Sequence, residues 1–491
     1  MTKWCHDVSS FNNGFTFPII HVVGKDDCEL MEFEPLKLNQ QSMAPGCLSS
    51  GLNPPFQATD IVGWPSFELD MDSVSISGIN IPMTLSVLIG WIREMGLKRL
   101  PVTVLISAFA IGLCYGEAKP LKVFVLAGQS NMQGHAQIRT LSHIGMDPQT
   151  APILEAITTE GGEPILSEEV WISYLSSEGV RQGRLTAGFG ASHEKIGPEW
   201  TFGVYLQKML NEPILLIKTA WGGKSINTDF RSPSAGPFEF TESQLENLRK
   251  QKKDLEAILQ DKKEATGYYY REMIRHVNEV LSDVSTVYPQ YDPDLGYELA
   301  GFVWFQGWND MVDRGVYPNR DKAGGYHAYS EVMAHFIRDV RTDLKAPAMP
   351  FVIGVLGVGG PVDKYGPSQK RYAGIHQNFR DAMAAPAALA EFKGNVAAVL
   401  TENYWDLELV SLRAKESAVR QKVRKIQKEK KLDRAAAKKV EEQLMKESFS
   451  DLEWKTLKTG VSNQEYHYLG SGKIMAQIGK GFAEALYPML P

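Results

Sequence analysis

The stretch Leu121-Lys122-Val123-Phe124-Val125-Leu126-Ala127-Gly128-Gln129-Ser130-Asn131-Met132-Gln133-Gly134-His135 decides the fold. Val123 to Leu126 have the unbroken apolar character of a strand buried on both faces of a parallel sheet, where alternation would mark a half-exposed one. In open α/β sheets the loop beyond the carboxyl end of such a strand is where ligands bind, so Ser130 is placed as a nucleophile; the competing reading is a plain turn residue. Two familiar turns are excluded by the residues themselves. A lipase-type Gly-x-Ser-x-Gly elbow needs glycine where Met132 stands, and a phosphate-binding loop needs Gly-Lys-Ser/Thr, whereas no lysine follows Gly134.

Working outward, four more apolar β-type segments follow in order at Pro213–Thr219, Gly301–Phe305, Pro350–Leu356 and Asn395–Thr401. Helical periodicity falls between and after them, at Glu199–Leu210, Tyr268–Leu281, Tyr326–Leu344, Gln369–Met383 and Lys473–Leu486. Alternating strands and helices with crossover-length spacing predict a doubly wound, three-layer α/β/α domain with about five parallel strands. Two charged insertions interrupt it. Residues 242–264 read as a solvated helix, and 413–452 as a projecting helical hairpin, because helix-forming residues of both signs are interleaved there. The hairpin reads first as a solvated surface, with partner contact as the rival.

The chain has 491 residues, 43% of them hydrophobic and 22% charged, which suits a large α/β domain with additions. A net charge of -6 argues against a general nucleic-acid binder. The cysteines are Cys5, Cys28, Cys47 and Cys114, so no disulfide or thiolate-metal framework can form after residue 114. From Met95 a basic start, an apolar core at Val102 to Cys114 and small residues Gly116 and Ala118 give the layout of a secretory signal peptide, over 95–118. The core is short of the ~20 residues a membrane span requires. The expected organisation is therefore an irregular or non-native extension at 1–94, the leader, and the main domain at 119–491, secreted or periplasmic and without a stable membrane span.

Further signals lie after the strands. Val303-Trp304-Phe305-Gln306-Gly307-Trp308-Asn309-Asp310 and Ala220-Trp221-Gly222-Gly223-Lys224-Ser225-Ile226 follow the third and second segments, and Gly460-Val-Ser-Asn-Gln-Glu-Tyr-His467 precedes the final helix. A serine hydroxyl needs an imidazole to take its proton, which His467 can do. No His-x-Glu-x-x-His array, calcium loop or dinucleotide fingerprint is present, so neither metal nor cofactor is expected.

Together these blocks resemble the SGNH hydrolases, in the Gly-Gln-Ser-Asn form of the sialate O-acetylesterase and acetyl xylan esterase-like branch (carbohydrate esterase family 6), over roughly residues 120–487. The resemblance implies a flavodoxin-like fold and a carbohydrate O-acetylesterase with Ser130 as nucleophile, His467 as base and the Gly223 N–H as an oxyanion donor. The side-chain donor falls on Gln306 in the branch-specific Trp-x-Gln-Gly register and on Asn309 in the wider Gly-x-Asn-Asp register; Gln306 is preferred. The family writes its last block Asp-x-x-His, but Gln464 occupies the Asp position here. An amide cannot stabilise an imidazolium as a carboxylate does, which leaves Glu465, Asp406, Asp310 or a backbone carbonyl to orient the ring, with Glu465 favoured. A catalytically degenerate glycan-binding protein is the alternative this departure motivates. Expected substrate contacts are Gln129, Asn131, Glu199, Trp221, Asp229, Arg231, Trp308 and Asp310, for an acetylated oligo- or polysaccharide. Glu199, in Gly197-Pro198-Glu199-Trp200, reads equally as ordinary helix-start chemistry, and Trp221, Trp308, Tyr404 and Trp405 equally as core.

Overall fold

The computed structural model describes residues 68–70, 99–101 and 119–490. The chain divides into two units, Met1–Cys114 and Tyr115–Pro491. In the first, Glu68–Asp70 pairs antiparallel with Arg99–Pro101. The apolar core of the expected leader, at 102–114, lies outside the described residues, as does most of the expected extension.

The second unit is built on a seven-stranded sheet: β1 (Leu121–Gly128), β2 (Val170–Ser176), β3 (Gly179–Arg184), β4 (Ile214–Ala220), β5 (Tyr297–Phe305), β6 (Phe351–Val355) and β7 (Val396–Leu400). Their order is β7-β6-β5-β1-β4-β2-β3. All neighbours run parallel except β3, which folds back antiparallel on β2 as an edge. The five strands expected from apolar runs are present; β2 and β3 are added at one edge. Gly179-Val-Arg-Gln-Gly-Arg184 is largely exposed, so its polar content hid it from an apolar count while suiting it to an edge that must resist further pairing.

The two faces of β5 show how the layers form. Phe302 and Trp304 point to one side, where both rings meet Phe336 of helix His327–Asp343. Gly301 and Phe305 point to the other, against Leu486 and Phe482 of helix Gly472–Leu486. Successive side chains of a strand face opposite ways, so a run apolar at every position buries both faces under helices. Helix Glu199–Leu210 packs beside 472–486, where Gly479 lets the helices approach: a Cβ there would lie 2.2 Å from the Pro198 carbonyl oxygen. Tyr268–Ser282 and Ala373–Ala384 join 327–343 on the far face.

Both insertions are helical. The first is two helices, Glu242–Lys250 and Leu255–Ala265, broken at Lys252 with φ 52°. The second is Leu407–Lys430 and Arg434–Ser448 joined through left-handed Lys431, followed by a third helix, Asp451–Gly460. Leu412, Val419, Val423, Met445, Phe449 and Leu457 give this arm its own small core. Asp406, Asp433 and Ser450 cap the three helices by accepting from Leu409, Ala436 and Glu453 N–H groups. The arm ends at Gly460, where the His467 segment begins, so it stands between the last strand and the proposed base. Among the described residues no helix is long and apolar enough to cross a membrane.

Candidate active site

Ser130 opens a single helical turn, Ser130–Gln133, directly beyond β1. Gly128 is required there, because a Cβ would lie 2.2 Å from the Phe305 carbonyl oxygen of β5. The neighbouring Gln129 then ties three segments together. Its Oε1 accepts from Gln306 Nε2 (3.1 Å), Gly307 N (3.2 Å) and Asn309 N (3.5 Å), and its Nε2 donates to Asn309 Oδ1 (3.3 Å) and Ser130 Oγ (3.5 Å). Ser130 Oγ and the Asn309 amide thus share one nitrogen. Gly222, in the turn after β4, lies alongside: a Cβ on it would come within 3.8 Å of Ser130 Cβ. Gly223 takes φ 72°, a left-handed turn that glycine adopts without strain.

The two amides of the Gln306-Gly-Trp-Asn309 block have different tasks. Gln306 is 2% exposed, and its Nε2 faces three oxygens: Gln129 Oε1, the Lys224 carbonyl at 3.0 Å and Asp310 Oδ2. An amide nitrogen carries two protons, so none remains for a substrate. Asn309 is half-buried and accepts through Oδ1 alone, leaving its Nδ2 protons without a protein partner among the described residues. In this geometry the amide protons without a protein partner are those of Asn309, while the preferred Gln306 spends its own on the fold. Asn309→Ala should lower kcat by about 100- to 1000-fold while costing the fold only about 1 kcal/mol, through the lost bond from Gln129 Nε2. Gln306→Ala, by contrast, strands Gln129 and Asp310 partners and should also destabilise the fold by about 1–3 kcal/mol; paired kinetics and thermal melts check both.

Asp310 is 1% exposed and accepts from Ile226 N (2.9 Å), Asn227 N (3.1 Å), Tyr317 Oη (3.2 Å) and Gln306. Burial pushes its carboxyl up to about 6 despite these bonds. Through these bonds it ties the β4 turn to the β5 turn, and its hydrogen bonds do not include His467.

His467 sits in the loop Glu465–Gly470, where Tyr468 and Leu469 both take positive φ, 52° and 61°. Such conformations cost about 1–3 kcal/mol each for side-chain-bearing residues and persist only where packing enforces them. Both side chains are fully buried, and Tyr468 Oη accepts from Gly357 N (2.7 Å) and pairs with Thr401 Oγ1 (2.6 Å). Leu469 O accepts from both Ser462 N and Asn463 N at 2.9 Å, closing the loop on itself. The closure brings Asn463 Oδ1 to 3.2 Å from His467 Nδ1. With that oxygen as acceptor the proton stays on Nδ1, and the Nε2 lone pair is free to act as base. Burial, with Lys195 nearby, holds His467 down at about 4, so the ring is neutral at ordinary pH.

Among the described residues no carboxylate hydrogen-bonds to the ring. Glu465, the favoured acid, is exposed and forms no hydrogen bond among the described residues, because the turn aims it outward. Asp406 pairs instead with His143 Nε2 (3.2 Å) and Lys473 (3.2 Å) at the root of the arm. Asn463, one residue before the position the family pattern marks, was missed; only the closed loop brings it to the imidazole. His135 was missed as well: its ring stacks on His467 with centroids 4.0 Å apart and planes 5° from parallel.

Several expected substrate contacts are structural. Glu199 is wholly buried, accepting from Lys218 Nζ (2.7 Å) and Gly197 N (2.9 Å), while Lys218 also donates to the Gln133 carbonyl (3.0 Å) under the nucleophile turn. A buried ion pair so bonded anchors the turn and cannot touch a sugar. Gln129 is the tie described above, and Asn131 is 1% exposed. Trp221 is 5% exposed among Phe230 and Tyr269, and Trp405 packs on Tyr468: both are core. Asp229 accepts from Ser225 N and Oγ, and Arg231 donates to the Gly236 and Ala235 carbonyls, so both shape the loop after β4. Trp308 remains half-exposed beside the site, its ring 5.6 Å from that of Tyr466, which in turn meets His467 edge-on at 4.5 Å.

Among the described residues no group of three or more His, Cys, Asp or Glu side chains is arranged to hold a metal. Comparisons with known proteins bear on the same region. No curated protein matches the chain. Among solved structures it is similar to an Arabidopsis thaliana protein, at 18% identity over 57% of this chain and 85% of that one with TM-score 0.32. It is similar also to a carbohydrate acetylesterase from Xanthomonas citri, at 14% identity over 57% of this chain and 50% of that one, again with TM-score 0.32. The family model described as "Carbohydrate esterase, sialic acid-specific acetylesterase" matches residues 120–403, more than half the chain and all seven strands of the sheet. The chain belongs to that carbohydrate acetylesterase family and is a carboxylic ester hydrolase.

Proposed function

We propose that this chain removes O-acetyl groups from a carbohydrate through an acetyl-serine intermediate, as a secreted or periplasmic enzyme. Ser130 Oγ attacks the acetyl carbonyl carbon and its proton passes to His467 Nε2. The tetrahedral oxyanion is held by Asn309 Nδ2 with the Ser130 and Gly223 N–H groups. Collapse breaks the ester bond, and the departing sugar oxygen takes the proton back from His467. Water then attacks the acetyl-enzyme, giving its proton to His467; acetate leaves and the proton returns to Ser130 Oγ.

One observation supports the reading above the rest: Gln129 draws Ser130 Oγ and the Asn309 amide to a single nitrogen. The leader layout at 95–118 supports export. Acetate release from O-acetylated xylan and O-acetylated sialic acid tests the proposal, with release from at least one expected and release from neither contradicting it. Trp308, half-exposed against Tyr466, offers a flat face for a pyranose ring. Trp308→Ala should raise KM for the acetylated saccharide about tenfold and leave that for p-nitrophenyl acetate, which has no sugar, within twofold.

A further inference from the structure

Resting on the Ser130–His467 reading, we infer that His135 is a positioning residue whose imidazole holds the catalytic ring in plane and stabilises the imidazolium formed on it. When His467 takes the serine proton it becomes a cation. In a triad a carboxylate answers that charge. Here Nδ1 faces the neutral Asn463 amide, and among the described residues no acid stands in its place.

What lies against the ring instead is the face of His135, at 4.0 Å and 5° from parallel. An aromatic face within ~6 Å attracts a cation, and more strongly when water is excluded. Contact over the whole face also fixes the ring's tilt, which a single hydrogen bond to Nδ1 leaves free to rotate. Asn463 sets the position of one edge and His135 sets the plane.

The backbone carrying His135 is held on both sides. Gly134, at φ 87°, packs where a Cβ would lie 2.1 Å from Gly197 Cα, and its carbonyl accepts from Ala191 N at 2.8 Å. Ala136–Gln137 pairs with Lys195–Ile196, and Gln137 N donates to Ser462 Oγ (3.1 Å) in the base loop itself. His135 lies five residues after Ser130, so one short ribbon delivers the nucleophile, crosses to the base loop and lays a ring on the base.

The role requires a neutral His135, since a second cation would oppose the first. The charged or titratable groups acting on it are His467, Lys195 and Lys218; all disfavour its protonation, as burial does, and it is held at about 3. It is a neutral π surface throughout the catalytic cycle.

Full-length His135→Leu and His135→Phe variants test this with p-nitrophenyl acetate, each with a thermal melt. Leucine fills the space without a π face, and kcat should fall about tenfold with KM within twofold; phenylalanine restores the face, and kcat should return to within about threefold of wild type. Equal kcat in wild type and His135→Leu would overturn the inference alone, as would a folded His135→Phe variant no better than His135→Leu. A wild-type protein with no esterase turnover would overturn the underlying Ser130–His467 reading.

Discussion

Replacing Ser130 by alanine should lower turnover of aryl acetates and acetylated saccharides by at least about ten-thousandfold while leaving the fold intact. The size follows from the chemistry: without Oγ there is no acyl-enzyme, and what remains is the rate enhancement of substrate binding and the oxyanion donors over water. The intact fold follows from the packing. Among the described residues Ser130 Oγ takes part in one long hydrogen bond, from Gln129 at 3.5 Å, and Gln129 keeps its other partners when that bond is lost. Stability should therefore change by no more than about 0.5 kcal/mol. Initial rates at saturating substrate, with a melt of the same sample, check both parts. Wild-type turnover in Ser130→Ala would remove the serine from the mechanism.

The second large effect concerns the base. His467→Ala should cost kcat at least about a thousandfold, and the pH profile should show why. An unperturbed histidine would place the acid limb of kcat/KM near pH 6.5. Burial and Lys195 hold His467 at about 4, so its basic form is about nine-tenths populated at pH 5 and almost wholly by pH 6. The expected profile is flat between pH 5 and 8 with an acid limb centred near 4, and a limb near 6.5 would contradict the geometry.

Stability should move in the same window. His135, His276, His376 and His467 all titrate lower in the fold than the 6.5 of an unfolded chain. Below pH 6.5 the unfolded state then binds more protons, and stability falls as pH drops from 6.5 toward 4. Asp310, raised to about 6, works the other way but is one group against four. Melting temperatures at pH 7 and pH 5 should differ accordingly, the lower at pH 5.

Much of this was legible in the sequence because burial writes itself into composition. β1, β4, β5 and β6 are buried along most of their length, and strands so covered must be apolar at nearly every position; β7, at the sheet's other edge, is half-buried yet still apolar. β3 did not show, since an edge strand open to water has no such constraint, and β2, though buried at six of its seven positions, has Ser173 and Ser176 interrupting its apolar run. Lys218 is instructive: within Ile214–Ala220 it breaks an apolar run, yet it is wholly buried because Glu199, nineteen residues earlier, answers its charge. Neither residue alone announces that pair.

The site divides along the same line. The proposed nucleophile, the proposed base and the turn glycines are each marked by local sequence, because each follows a strand or precedes a helix. Which amide keeps free protons is not local; it depends on Lys224, Asp310 and Gln129 being in place around Gln306. The orienting group was sought among carboxylates at the family's spacing, while the chain closes a strained loop that brings Asn463 to the ring and lays His135 over it.

Treatment of the full-length protein with a fluorophosphonate, followed by peptide mass spectrometry, tests the central claim most directly, because only a serine activated by a base reacts at a useful rate. A single adduct on Ser130, strongly diminished in His467→Ala, is the predicted result. No adduct in the wild-type protein, or one on a different residue, would contradict the account and leave the fold as a glycan-binding scaffold or an esterase with its nucleophile elsewhere.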